Sequence, residues 1–134
     1  DGIPVEYRKK DDVVGDYAYL IDPSDSPGKN ELLAVNQFTI IEKGINKRPD
    51  IILFVNDLPL VTVELKNAVD LNATVKKAYE QLKTYKATIP QLFSYNEICV
   101  ISDGLEAKVG SYTAPISRFS TWKTKDGLSD ASPF

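Results

Sequence analysis

The sequence predicts an α/β fold, a mixed β-sheet with a helix packed on it. Three observations lead there. Ile51–Val55 and Leu60–Leu65 are near-continuous apolar runs of the kind buried on both faces of a sheet. Asn72–Ala87 instead repeats its apolar residues at helical spacing. A second buried-strand run, Glu97–Ser102, then follows the helix.

Taken in order, residues 1–31 are polar and turn-rich, with one strand candidate at Asp16–Ile21 and a Pro/Ser/Gly loop at Pro23–Gly28. Leu32–Glu42 reads as one strand from its β-branched and aromatic content. Gly44–Pro49 is a connection, and Asn56-Asp57-Leu58-Pro59 is a turn between the two apolar strands. In the helix, Val75, Ala78, Tyr79, Leu82 and Tyr85 share a face, Asn72 or Asp70 can cap the start, and Pro90 closes it off. Glu97–Ser102 ends at the turn Asp103-Gly104, and Glu106–Thr113 is the last strand. Residues 1–123 are expected to form one domain with its core in 31–123, and 124–134 a tail or linker.

Composition narrows the chemistry. A chain of 134 residues, 43% hydrophobic, is large enough for one domain with a real core. It has no histidine, which excludes a His general base, a Ser-His-Asp triad and an ordinary zinc site. Its one cysteine, Cys99, lies in an apolar run and reads as core, as suits a reducing cytoplasm. No run approaches the roughly 18 apolar residues of a membrane span. The lack of methionine suggests a piece of a longer protein. Residues 1–35 hold 8 acidic and 4 basic groups, against 11 and 12 in the remainder, so affinity for nucleic acid should be modest.

Catalysis must then run on carboxylates, lysine, tyrosine and a hard metal. Asp50, with Glu64-Leu65-Lys66 fourteen residues later, supplies that set. Glu64 and Lys66 share one strand face, and Leu65 turns to the other. If the flanking strands pair as a hairpin, Asp50 can face Glu64, giving two carboxylates for a divalent cation and an ammonium near its bound water. The register decides this. A two-residue loop at Asn56-Asp57 pairs Asp50 with Val63, whereas a three-residue loop or a bulge pairs it with Glu64. The bland alternative is that these charges only mark where strands meet solvent.

Other groups carry two readings each. Gln81 and Tyr85, at i and i+4 on the helix, are either core and border residues or a pair bracing the carboxylates or a phosphate. Lys76, Lys77, Lys83 and Lys86 are either solvated helix lysines or phosphate contacts. Arg118, Phe119 and Trp122 could stack on a base, but packing against the sheet is the simpler reading.

These residues fall in an ordered series: Val35-Asn36-Gln37-Phe38-Thr39, Arg48-Pro49-Asp50, Asn56 to Leu60, Val63 to Asn67, Ala78 to Tyr85, Ile101 to Gly104, and Arg118-Phe119 through Trp122-Lys123. The series resembles the nuclease domain of the R subunit of type I restriction enzymes, within the P-D…(D/E)-x-K superfamily. The resemblance implies a restriction-endonuclease-like α/β fold, a mixed central sheet flanked by helices. It implies Mg²⁺ at Asp50, Glu64 and the Leu65 carbonyl, with Lys66 orienting water or steadying charge on the phosphate. Gln81 and Tyr85 match an accompanying Q-x-x-x-Y motif. The family's helix before the first core strand is expected to be missing here. A helicase-like motor using ATP would lie elsewhere on the parent chain, since no G-x-x-x-x-G-K-[ST] loop occurs. Implied partners are double-stranded DNA and the methyltransferase and specificity subunits. The rivals are a repair or recombination nuclease of the same superfamily, and a catalytically silent module binding DNA or a subunit.

Overall fold

The computed structural model describes residues 2–24, 28–67, 74–124 and 127. In chain order the elements are β1 (Ile3–Lys9), β2 (Asp12–Ala18), β3 (Leu32–Asn36), β4 (Ile40–Glu42), β5 (Ile45–Lys47), β6 (Ile51–Val55), β7 (Leu58–Leu65), α1 (Val75–Thr88), β8 (Ile98–Ser102), β9 (Ala107–Ser111) and β10 (Ser120–Thr121). Six strands form one sheet in the order β10-β9-β8-β7-β6-β3. Only the β7–β8 pair in it is parallel, because α1 forms the crossover between those strands. The sheet is therefore mixed, as expected.

Helix α1 lies over β7 and β8. It buries Ala78, Leu82 and Tyr85 against a core that includes Ile52, Cys99 and Ile101. Val75 and Tyr79 pack at the edge of that core, so all five residues of the predicted apolar face are used. The helix begins later than its periodicity suggests: Thr74 is the N-cap, its side chain accepting a hydrogen bond from the Lys77 N–H at 3.2 Å. The earlier cap candidates Asn72 and Asp70 lie outside the described residues. Pro90 opens a short 3-10 turn over Pro90–Ser94, which stops the helix as expected.

Four elements differ from the sequence expectation. The first 31 residues contain two strands, β1 and β2, where one candidate stood at Asp16–Ile21. Leu32–Glu42 is not one strand. It breaks at Gln37, which adopts a left-handed conformation (φ 52°), and resumes as a separate hairpin of β4 and β5. That hairpin turns at Lys43-Gly44 (φ 49° and 79°), so the supposed connection Gly44–Pro49 contains a strand. Finally, β10 adds a sheet edge after Phe119, whose ring packs edge-on against Tyr79 at 5.5 Å. Gly110 is required beneath it, since a Cβ there would come within 2.6 Å of the Phe119 ring. Packing against the sheet, rather than base stacking, accounts for Phe119.

The β6–β7 hairpin sets the register that matters. Asn56 and Asp57 both have positive φ (49° and 66°), the geometry of a two-residue type I′ turn, with Val55 opposite Leu58. Regular pairing from there would put Asp50 opposite Val63. The register shifts between Leu53 and Phe54, which face Val61 and Pro59, leaving Leu60 as an extra residue. Its carbonyl accepts from the Glu97 N–H at 2.9 Å. Ile51 thereby meets Val63, and Asp50 comes level with Glu64.

Candidate active site

Asp50 and Glu64 meet at one end of the sheet, where β3, β6 and β7 run out. Asp50 follows the buried Pro49 and stands just before β6, its carboxylate fixed by two donors. The Leu65 N–H donates to Oδ2 and the Gln37 side-chain amide to Oδ1, each at 2.8 Å. The carboxylate thus takes the place of a backbone acceptor for Leu65 at the end of the ladder. On the other side of β7, the Lys66 N–H donates to the Ser102 carbonyl at 2.8 Å. A strand residue's N–H and C=O point to the same side, so the Leu65 carbonyl opens toward Asp50.

Glu64 is only 2% exposed. Its Oε1 accepts from the Lys66 ammonium at 2.7 Å, whereas Oε2 is buried with no hydrogen-bond partner. Burial pushes the Glu64 carboxyl above the ordinary glutamate range, Lys66 opposes this, and the negative charge of Asp50 adds to it. The structure brings together the three side chains that the sequence singles out, Asp50, Glu64 and Lys66.

Tyr85, from the buried face of α1, lies beside Glu64. Its hydroxyl donates to the Arg48 carbonyl at 3.4 Å. Burial and then the charge of Glu64 hold Tyr85 well above its ordinary pKa, and the Gln81 side chain offsets part of this. The Gln81/Tyr85 pair thus lies next to the Glu64 carboxylate. The four lysines divide. Lys76 and Lys77 are exposed on α1, and Lys83 pairs with Glu80 at 3.1 Å. Lys86 is half-buried, its ammonium bonded to the Tyr112 carbonyl and 4.8 Å from the centre of the Tyr112 ring. The Lys86 ammonium is thus engaged with Tyr112.

A cleft of about 470 Å³ opens beside Asp50, lined by Asn36, Gln37, Asp50, Ile51, Leu65, Lys66 and Asn67, and Glu64 lies buried behind it. Gln37 had no assigned role in the sequence reading. Its tie to Asp50 depends on the left-handed break after β3, which no glycine or proline announces.

Among the described residues no three His, Cys, Asp or Glu side chains cluster. A metal would therefore have two carboxylates, a backbone carbonyl and water, an all-oxygen set. That set suits Mg²⁺, which commonly takes one or two carboxylates and keeps several waters. The unpartnered Glu64 Oε2 is the kind of buried acceptor a cation satisfies.

Residues 1–118 match the family described as the type I restriction enzyme R protein N terminus. The chain is 43% identical over 127 residues to the type I restriction enzyme HindI endonuclease subunit of Haemophilus influenzae, covering 94% of this chain and 12% of that protein. It is 37% identical over 126 residues to a putative type I restriction enzyme endonuclease subunit (MjaIXP) of Methanocaldococcus jannaschii, covering 92% and 12%. A Staphylococcus aureus endonuclease subunit, SauCOLORF180P, is 34% identical over 102 residues, 75% of this chain and 10% of that one. The chain thus spans about an eighth of the length of the first two relatives.

Proposed function

Because the chain belongs to the family of the type I restriction enzyme R protein N terminus, we propose that it is the nuclease domain of such a subunit. It hydrolyses DNA phosphodiester bonds with Mg²⁺ at Asp50 and Glu64. The observation that carries this reading is the Glu64 carboxylate, buried level with Asp50, with Lys66 on one oxygen, no hydrogen bond at the other and Tyr85 alongside.

Asp50, Glu64 and the Leu65 carbonyl would hold the cation. A divalent cation in such a site lowers the pKa of bound water and offsets charge on the phosphate. Gln37 and the Leu65 N–H each donate to one Asp50 oxygen, which holds the carboxylate in one orientation at the cleft. The Lys66 ammonium is near enough to Glu64 to orient the attacking water or to donate to a phosphate oxygen. Tyr85 stays protonated beside Glu64, so it positions by donating a hydrogen bond and does not accept a proton. Gln81 steadies that hydroxyl. Lys76, Lys77 and Lys83 lie exposed on α1, where they can meet DNA phosphates without reading sequence.

On this reading sequence recognition belongs to the specificity subunit and modification to the methyltransferase subunit. ATP acts through a motor on the parent chain, and the complex works in the cytoplasm. Among the described residues no helix is long and apolar enough to cross a membrane.

The test is plasmid cleavage and ATP hydrolysis measured together in the assembled enzyme, wild type against Asp50→Ala. Cleavage lost with ATP hydrolysis intact supports the assignment. Cleavage retained would return Asp50 to the role of a strand-end carboxylate.

A further inference from the structure

The ladder between β3 and β6 ends at Asn36 opposite Ile51. The next residue, Gln37, turns into the left-handed region (φ 52°), which non-glycine residues adopt uncommonly and which collects at functional sites. The turn gives Gln37 two bonds to one residue. Its N–H donates to the Asp50 carbonyl at 2.9 Å, and its side-chain amide to Asp50 Oδ1 at 2.8 Å. The turn is anchored by Phe38, whose ring packs edge-on against Phe54 at 5.6 Å. The Gln37 carbonyl accepts from Arg48 Nε at 3.4 Å, and the Arg48 carbonyl accepts from Tyr85 at 3.4 Å.

We propose that Gln37 is a positioning residue for cation binding, acting through Asp50. The inference rests on the nuclease reading above. With Leu65 donating to Oδ2 and Gln37 to Oδ1, the Asp50 carboxylate is held from two different strands, β7 and the end of β3. Each oxygen keeps a lone pair for a cation. Without the Gln37 amide only one donor remains, and the carboxylate can rotate about its last torsion. The strain at Gln37 is tolerated because it aims a donor that a straight continuation of β3 would not place there.

The test uses the nucleotide-free R subunit that carries this chain, with Mn²⁺ binding followed by electron paramagnetic resonance. Gln37→Met keeps the bulk and removes the donor. Gln37→Asn keeps an amide but withdraws it by one methylene. Each is expected to weaken Mn²⁺ binding about 10- to 100-fold, the usual effect of losing a residue that orients a metal ligand. DNA cleavage by these variants in the assembled enzyme should recover as the cation concentration is raised. Affinity within twofold of wild type for both variants would overturn the inference, as would a cleavage defect that saturating cation does not relieve. Asp50→Ala runs in the same titration. If it binds Mn²⁺ like wild type, the nuclease reading itself fails. If it loses binding while both Gln37 variants keep it, only the role of Gln37 fails.

Discussion

The β1–β2 and β6–β7 hairpins are built alike and end up with different chemistry. Each turns through two residues, Lys10-Asp11 and Asn56-Asp57. The first runs in regular register from Lys9 opposite Asp12 to Ile3 opposite Ala18, and nearly all of it faces solvent. A carboxylate there, such as Glu6, is exposed on both sides of any question of register. The second carries one extra residue, Leu60, and is covered by α1. That extra residue brings Asp50 level with Glu64, and burial then gives Glu64 its raised pKa and its unpartnered oxygen. Register and burial together, not residue type, separate the environment of Glu64 from that of Glu6.

The largest effect that would sharpen the contrast is on stability. Ile52→Ala, at a fully buried position of β6, should destabilise the protein by about 2–5 kcal/mol. Val13→Ala, at a residue 64% exposed in β2, should stay within about 0.5 kcal/mol. Urea denaturation measures both. Equal losses would mean that the first hairpin is more buried than it looks.

Glu64→Gln should stabilise the cation-free protein by about 0.5–2 kcal/mol, the size of a typical single stabilising substitution. The sign follows from the raised carboxyl. The folded state binds its proton more tightly than the unfolded chain does. Stability therefore falls as pH rises from the ordinary glutamate value through the higher folded value. Removing the charge removes that loss, and it also removes cation binding. Glu6→Gln should change neither. A Glu64→Gln protein that melts lower than wild type would show that the Lys66 bond outweighs burial.

Acidification supplies a third test. A cation requires ionised Glu64, so affinity for Mg²⁺ should begin to decline at a pH above the ordinary carboxylate range. Calorimetric titration across that range reads it directly, and a decline confined to the ordinary aspartate range would contradict the burial of Glu64. The smallest effect concerns the turn. Asp57→Gly, at φ 66°, should stabilise by up to about 1 kcal/mol, since glycine adopts this conformation without steric cost. Asn56 is not equivalent. Its side chain accepts from the Glu31 N–H at 2.7 Å and donates to the Leu20 carbonyl at 2.7 Å, tying the turn to the chain before β3. Thermal melting separates them: Asp57→Gly should melt at or above wild type, and Asn56→Gly, which loses both bonds, below it.

Much of this was legible in the residues. The apolar strands flanking the turn, the helical face from Val75 to Tyr85 and the run at Ile98–Ser102 are buried elements, and burial imposes the periodicity by which they are read. Asp50, Glu64 and Lys66 stood out because a protein without histidine leaves few other groups for hydrolysis. The bulge was one of two expected ways to bring Asp50 to Glu64, and the residues did not choose between it and a three-residue loop. It falls in the apolar stretch Leu58–Val63, where sliding by one residue changes no charge. β1 alternates Ile3, Val5 and Tyr7 with Pro4, Glu6 and Arg8, but the polar, turn-rich residues around it masked that short signal. Gln37 was missed because its left-handed turn occurs at an ordinary residue within a run of high strand propensity.

Manganese anomalous diffraction from crystals of the protein grown with MnCl₂ tests the central claim most directly. The account predicts a peak within about 2.0–2.6 Å of oxygens from Asp50, Glu64 and the Leu65 carbonyl. No peak at a saturating concentration, or a peak that leaves either carboxylate uncoordinated, would contradict it.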